Sequence, residues 1–140
     1  MSKVAVVYWS GTGNTEAMAA AVADGAREKG AEVSMLSAVG FGADQVDAFD
    51  AIAFGCPSMG AEQLEEGEFE PMFTDCESKL HGKKIALFGS YGWGDGQWMR
   101  DWESRCGTIG AILACESVIC NEAPDDEALR ACHALGAALA

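Results

Sequence analysis

Long apolar runs are missing from this sequence. Nowhere in its 140 residues do about 18 apolar residues follow one another without interruption, the length a membrane-spanning helix needs. No membrane partner is expected. Positive charge is scarce as well. Nine Lys and Arg stand against 22 Asp and Glu, a net charge of −13. Phosphate backbones select basic surfaces, so a nucleic-acid partner is excluded. No two cysteines have the C-x-x-C spacing, and His81 and His133 lie far apart, so no metal or dithiol motif is formed. Repeats, linkers and low-complexity segments are lacking too. The opening Met1-Ser2-Lys3-Val4 has no signal-peptide layout, and a cytoplasmic protein is expected.

Apolar residues make up 49% of the chain, enough to fill one core, and the length suits a single domain over residues 1–140. Cys56, Cys76, Cys106, Cys115, Cys120 and Cys132 fall mostly on apolar faces. Cysteine there behaves as a small hydrophobe, so free structural thiols are expected.

Strand and helix signals alternate. Short apolar runs at 4–8, 33–36, 51–54 and 85–88 read as strands, with a fifth between 111 and 120. Helices are expected over 15–29, from Pro71 to Gly82, from an Asp95 cap to Gly107, and from Pro124 to the end. The strands show little alternation, as they should when helices cover both faces. A doubly wound five-stranded parallel α/β sheet in the order 2-1-3-4-5 satisfies the right-handed crossover rule.

In such a sheet, ligands bind beyond the carboxyl ends of the strands where the strand order reverses, here between strands 1 and 3. Three loops converge there. They are Trp9-Ser10-Gly11-Thr12-Gly13-Asn14-Thr15, Gly55-Cys56-Pro57-Ser58-Met59-Gly60-Ala61-Glu62 and Gly89-Ser90-Tyr91-Gly92-Trp93-Gly94-Asp95. The first is a glycine turn at a helix start, an anion site built from backbone N–H groups. Ser10, Thr12, Asn14 and Thr15 add neutral donors. The Lys of a nucleotide-triphosphate P-loop and the third glycine of a dinucleotide fingerprint are both absent. A phosphate held by uncharged groups is therefore expected. Met59 and Trp93 sit in the other two loops, and thioether and indole both stack well on a flat aromatic ligand.

These residues resemble the flavodoxins, small electron carriers that use FMN. The run from Val6 to Ala19 is similar to that family's phosphate signature at every position. Pro57-Ser58-Met59-Gly60 and the run from Gly89 to Gly96 resemble the flavin loops of the short-chain members of anaerobic bacteria. The resemblance spans nearly the whole chain. It implies a low-potential one-electron carrier with non-covalent FMN, shuttling between semiquinone and hydroquinone, and not an enzyme. Ser10, Gly11, Thr12, Gly13, Asn14 and Thr15 would form the phosphate loop. Pro57, Ser58, Met59, Gly60, Ala61, Glu62, Ser90, Tyr91, Gly92, Trp93, Gly94 and Asp95 would complete the cofactor site. Met59 and Trp93 would sandwich it, and Glu62 would accept a hydrogen bond from flavin N3–H. Pro57 stands where some members carry a hydroxyl, and Ala61 where some carry Asp.

The resemblance also implies that the Gly60-Ala61 peptide turns toward flavin N5 on reduction. Glycine suits that turn, because positive φ costs it little. The acidic run Glu62, Glu65, Glu66, Glu68 and Glu70 would disfavour an anionic flavin and steer basic-surfaced redox enzymes to it. Reductases, pyruvate-oxidising enzymes, hydrogenase and nitrogenase are partners of that kind, and a monomer suffices for such a carrier. Two other readings compete. An FMN-dependent NAD(P)H:quinone-type reductase would share the sheet, but the chain is short and offers no evident nicotinamide pocket. A phospho-signalling receiver would need an acidic cluster after strand 1 and an Asp ending strand 3. Trp9-Ser10 and Gly55-Cys56 stand there instead.

Overall fold

The computed structural model describes residues 2–60 and 62–140. Ala61, named above as a flavin-loop residue, lies outside the described residues. The elements run β1 (Lys3–Tyr8), α1 (Asn14–Glu28), β2 (Glu32–Ser37), α2 (Ala43–Val46), β3 (Ala51–Gly55), α3 (Phe69–Cys76), β4 (Lys84–Tyr91), α4 (Gln97–Thr108), β5 (Ile112–Leu113), β6 (Val118–Asn121) and α5 (Asp126–Leu139). The sheet order is β2-β1-β3-β4-β5, with β6 also paired to β4, and each of these pairings is parallel. The expected doubly wound order is the observed one.

Successive strand residues face opposite layers, as the two-residue period of a strand requires. Val4 and Val6 pack with Met18 and Val22 of α1 and with Cys132 and Leu135 of α5. Ala5 and Val7 join Phe73 of α3 and Trp98 and Trp102 of α4 on the other face. That second layer is dense in aromatics. Phe54, Phe69 and Trp102 meet their neighbours edge to face, with ring centroids 5.1 to 5.7 Å apart. Edge-to-face contact suits the ring quadrupoles.

Several boundaries differ from the expectations, each for a physical reason. The fifth strand is split. Ile112–Leu113 pairs with the start of β4 and Val118–Asn121 with its end. In the gap between them, Ser117 donates its hydroxyl to Glu103 of α4. The helix α3 starts at Phe69, two residues before Pro71. Proline is tolerated there because first-turn N–H groups lack helical partners in any case. After Cys76 the chain tightens into a 3₁₀ turn over Glu77–Lys79. The helix α4 is capped by Gly96 at φ 91°, not by Asp95, whose carboxylate pairs with Arg100 at 3.0 Å. Gly107 lies inside α4, and the chain leaves the helix through Ile109 and Gly110. The short helix α2 was not foreseen.

β4 runs on to Tyr91, three residues past the expected end at Phe88. It therefore carries Ser90 and Tyr91, assigned to a loop above, on a rigid strand end.

Candidate functional site

The carboxyl ends of β1, β3 and β4 border a cleft of about 430 Å³. Trp9, Gly11, Thr12 and Asn14 line it from the turn before α1. Pro57, Ser58 and Met59 follow β3, and Ser90, Tyr91, Gly92 and Trp93 come from the end of β4. Glu122, just beyond β6, completes the wall. Lys, Arg and His are absent from this lining among the described residues. The cleft is built from glycine, hydroxyls, one amide, one proline, aromatic and thioether surface, and the single carboxylate of Glu122.

Local hydrogen bonds set each wall. In the first turn, Ser10 Oγ accepts from the backbone N–H of Gly13 at 3.1 Å and of Glu16 at 3.3 Å. Ser10 thus folds the loop from within. Gly13 caps α1 at φ 94°, a region in which glycine is not strained. Thr15 is buried, and its Oγ1 lies 3.3 Å from Ser90 Oγ, joining α1 to the end of β4. Backbone bonds extend the sheet past its strands: Trp9 N donates to Gly55 O, Cys56 N to Phe88 O and Ser58 N to Ser90 O.

The second turn is closed by a reciprocal pair of backbone bonds between Met59 and Gln63, 2.8 and 2.9 Å long. Gly60 inside that turn has φ 54°, where a side chain is disfavoured. On the rim, Met59 is 36% exposed and Trp93 58%, while most large apolar side chains are buried. Both are exposed apolar groups on two of the loops that border the cleft.

The expected site residues separate into groups. Gly11, Thr12, Asn14, Pro57, Ser58, Met59, Ser90, Tyr91, Gly92 and Trp93 line the cleft. Ser10, Gly13, Thr15 and Gly60 shape its loops. Glu62 stands outside the lining, with φ 52°, and accepts the backbone N–H of Gln97 at 3.1 Å. Its carboxylate lies against Gly94, where a Cβ would come within 2.4 Å of it. Asp95 faces Arg100. Two lining residues were missed. Trp9 was visible in the motif but read only as part of the loop. Glu122 follows the strand whose limits the sequence left open, and its backbone N–H donates to Tyr91 O at 2.7 Å.

The acidic run after Met59 is more committed than its charge suggests. Glu65 accepts the backbone N–H groups of Gly67, Glu68 and Phe69 at 2.7 to 2.8 Å. Desolvation opposes ionisation of Glu65, yet these bonds hold its carboxyl below the ordinary range. Glu68 accepts from Trp9 Nε1 at 2.8 Å. Arg105 forms a fork on Glu70, at 2.8 and 2.7 Å, and also reaches Glu77. The Arg105 bond is the main reason the Glu70 carboxyl is lowered.

Thiol chemistry is suppressed here. Cys56 is buried behind the cleft, and desolvation pushes its thiol far above the ordinary range. All six cysteines are free, and no group of acidic, His and Cys side chains among the described residues could hold a metal.

The sequence model described as Flavodoxin matches residues 6–136. The flavodoxin of Megasphaera elsdenii is 46% identical over 137 residues, covering 98% of both chains. That of Clostridium beijerinckii is also 46% identical, over 121 residues, covering 86% of this chain and 88% of its own. The solution structure of the two-electron reduced Megasphaera elsdenii flavodoxin superposes with a TM-score of 0.89 at 46% identity, covering 97% of each chain. Fold and sequence agree: the chain belongs to the flavodoxin family, as a short-chain member.

Proposed function

We propose that this chain is a low-potential electron carrier whose cleft binds FMN without a covalent bond. The observation that carries the reading is the cation-free cleft between two exposed rim groups, Met59 and Trp93. A second supports it. Ser58 Oγ is buried and lacks a hydrogen-bond partner among the described residues, although Ser58 lines the cleft. A buried hydroxyl left unpaired is costly. A ligand with polar atoms would satisfy it, so the residues present fit FMN.

In this reading Thr12, Asn14 and the backbone of Gly11 and Gly13 hold the phosphate, with Ser10 and Thr15 fixing their loop. Neutral donors and the N-terminus of α1 stabilise the anion without a matched cation. Met59 and Trp93 cover the two faces of the ring system and exclude water from it. Pro57, Tyr91, Gly92 and the turn at Gly60 border its edge. Glu62 would accept from flavin N3–H, and Gly94 and Asp95 complete the loop behind it.

FMN, once bound, takes up and releases single electrons. The protein contributes position and electrostatics. Glu122 in the wall opposes added negative charge in the cleft, which favours a low potential. Gly60 keeps its turn adjustable. No His or ionised thiol is placed at the cleft among the described residues to move protons, which suits a carrier better than an enzyme.

Residues 1–140 act as one domain and as a monomer in this reading. Redox enzymes with basic surfaces are the partners, chosen by complementarity to the net charge of −13. Reductases, pyruvate-oxidising enzymes, hydrogenase and nitrogenase belong to that class. Six free thiols suit a reducing compartment, and a cytoplasmic location is part of the proposal. No helix among the described residues is long and apolar enough to cross a membrane. The test is to add NAD(P)H to the FMN-loaded protein without a reductase. A carrier keeps its yellow colour, and rapid bleaching would establish a reductase instead.

A further inference from the structure

Glu68 stands 59 residues from Trp9 in the chain, yet its carboxylate accepts the Trp9 indole N–H at 2.8 Å. Each end of this contact is anchored. Glu68 is the residue just before α3, and its own backbone N–H donates to Glu65 at 2.7 Å. Trp9 is fixed at its backbone by Gly55 O, at 3.0 Å. The Trp9 ring in turn packs against the first turn of the cleft. A Cβ on Gly11 would stand 3.0 Å from the ring edge. Trp9 itself lines the cleft beside Gly11, Thr12 and Asn14. A surface carboxylate is thus linked through one indole to the backbone that forms the anion end of the cleft.

We propose that Glu68 is a positioning residue for the phosphate end of the cleft, acting through Trp9. It holds the indole against the Gly11 turn and so limits the conformations open to the turn before ligand arrives. A turn ordered in advance loses less freedom on binding, which tightens the complex. This proposal rests on the FMN reading above. The role is one of acceptor geometry and not of charge, because a carboxylate near a phosphate is repulsive in itself. Acceptor and charge therefore predict opposite signs.

The experiment titrates apoprotein with FMN and, separately, with riboflavin, which lacks the phosphate, following flavin fluorescence. Wild type is compared with Glu68→Ala, Glu68→Gln, Trp9→Phe and the double variant Trp9→Phe/Glu68→Ala. Thermal unfolding of each apoprotein confirms that it is folded. Glu68→Ala and Trp9→Phe are each expected to weaken FMN binding roughly 3- to 10-fold, the worth of one net hydrogen bond. Riboflavin affinity should stay within about twofold of wild type, and the double variant should lose no more than either single one. Glu68→Gln keeps an acceptor oxygen and should retain wild-type FMN affinity or exceed it.

Tighter FMN binding in both Glu68 variants would reveal a purely electrostatic role and overturn the proposal. Equal losses for FMN and riboflavin would point to general loosening and overturn it too, as would additive losses in the double variant. Should wild type bind neither flavin, the FMN reading itself fails and this proposal falls with it.

Discussion

Glu62 accepts the backbone N–H of Gln97 at 3.1 Å, and so ties the turn after β3 to the first residue of α4. The cap residue of that helix is Gly96, which has no side chain to satisfy the exposed N–H groups. A carboxylate from a distant loop does the capping instead. It also meets the positive end of the helix dipole. Glu62→Ala should destabilise the apoprotein by about 1 kcal/mol, within the usual range for a lost helix cap. Glu62→Gln should recover most of that loss. Urea unfolding of the three apoproteins measures it, and equal midpoints would show that the contact contributes nothing.

Ser58 predicts effects of opposite sign in the two states of the protein. Its hydroxyl is buried and unpartnered, and the residue lines the cleft. Ser58→Ala should leave the apoprotein as stable as wild type or more so, because it removes an unsatisfied polar group. The same change should weaken FMN binding about fivefold, near 1 kcal/mol, if the ligand satisfies that hydroxyl. Parallel melting and titration separate the two. Loss of apoprotein stability with unchanged affinity would assign Ser58 to the scaffold.

Arg105 joins α4 to α3 through Glu70 and Glu77, and its guanidinium lies 4.9 Å from the Phe73 ring centroid. Arg105→Met should cost roughly 1–3 kcal/mol near neutral pH, between the values of exposed and buried ion pairs. The pH dependence follows from Glu70. Its folded-state pKa is lowered, chiefly by the Arg105 hydrogen bond. A carboxylate of that kind adds stability above its unfolded-state pKa, about 4.3. It loses that contribution as pH falls through the lowered folded value. The stability difference between wild type and Arg105→Met should therefore be full above about pH 5 and shrink on further acidification. Unfolding curves at pH 7, 5, 4 and 3 test this. A difference that grows in acid would contradict it.

Steering by charge is the fourth expectation. Reduction by a basic-surfaced partner enzyme should slow as ionic strength rises, since screening is felt beyond about 10 Å at 0.1 M salt. Within the acidic run, Glu66→Gln is the cleanest probe of it. Changes at Glu65 or Glu68 would also break the cap of α3 or the Trp9 contact. Rates that do not respond to salt would remove electrostatic steering from the account.

Strand order, the layers and most of the cleft were legible in the sequence. Uninterrupted apolar strands such as Ala51–Gly55 have only one way to be buried, and glycine-rich turns after β1, β3 and β4 must meet at one end of a parallel sheet. Most of what escaped depends on contacts across the chain, although Glu65 bonds within its own turn. The acidic run reads as five free carboxylates. Yet Glu62, Glu65, Glu68 and Glu70 are engaged by Gln97, by α3's own backbone, by Trp9 and by Arg105. Local spacing carries no trace of partners 28 or more residues away, as with Arg105 and Glu77. The cap of α4 escaped for a related reason. Asp95 has the right side chain for a cap, but Arg100 one turn later competes for it.

The most direct test of the central claim is a stepwise anaerobic redox titration of the FMN-loaded protein, followed by absorption. A carrier tuned by this cleft should take up its two electrons in separate one-electron steps, the second at a potential below that of free FMN. A single merged two-electron transition at the potential of free FMN would contradict the account.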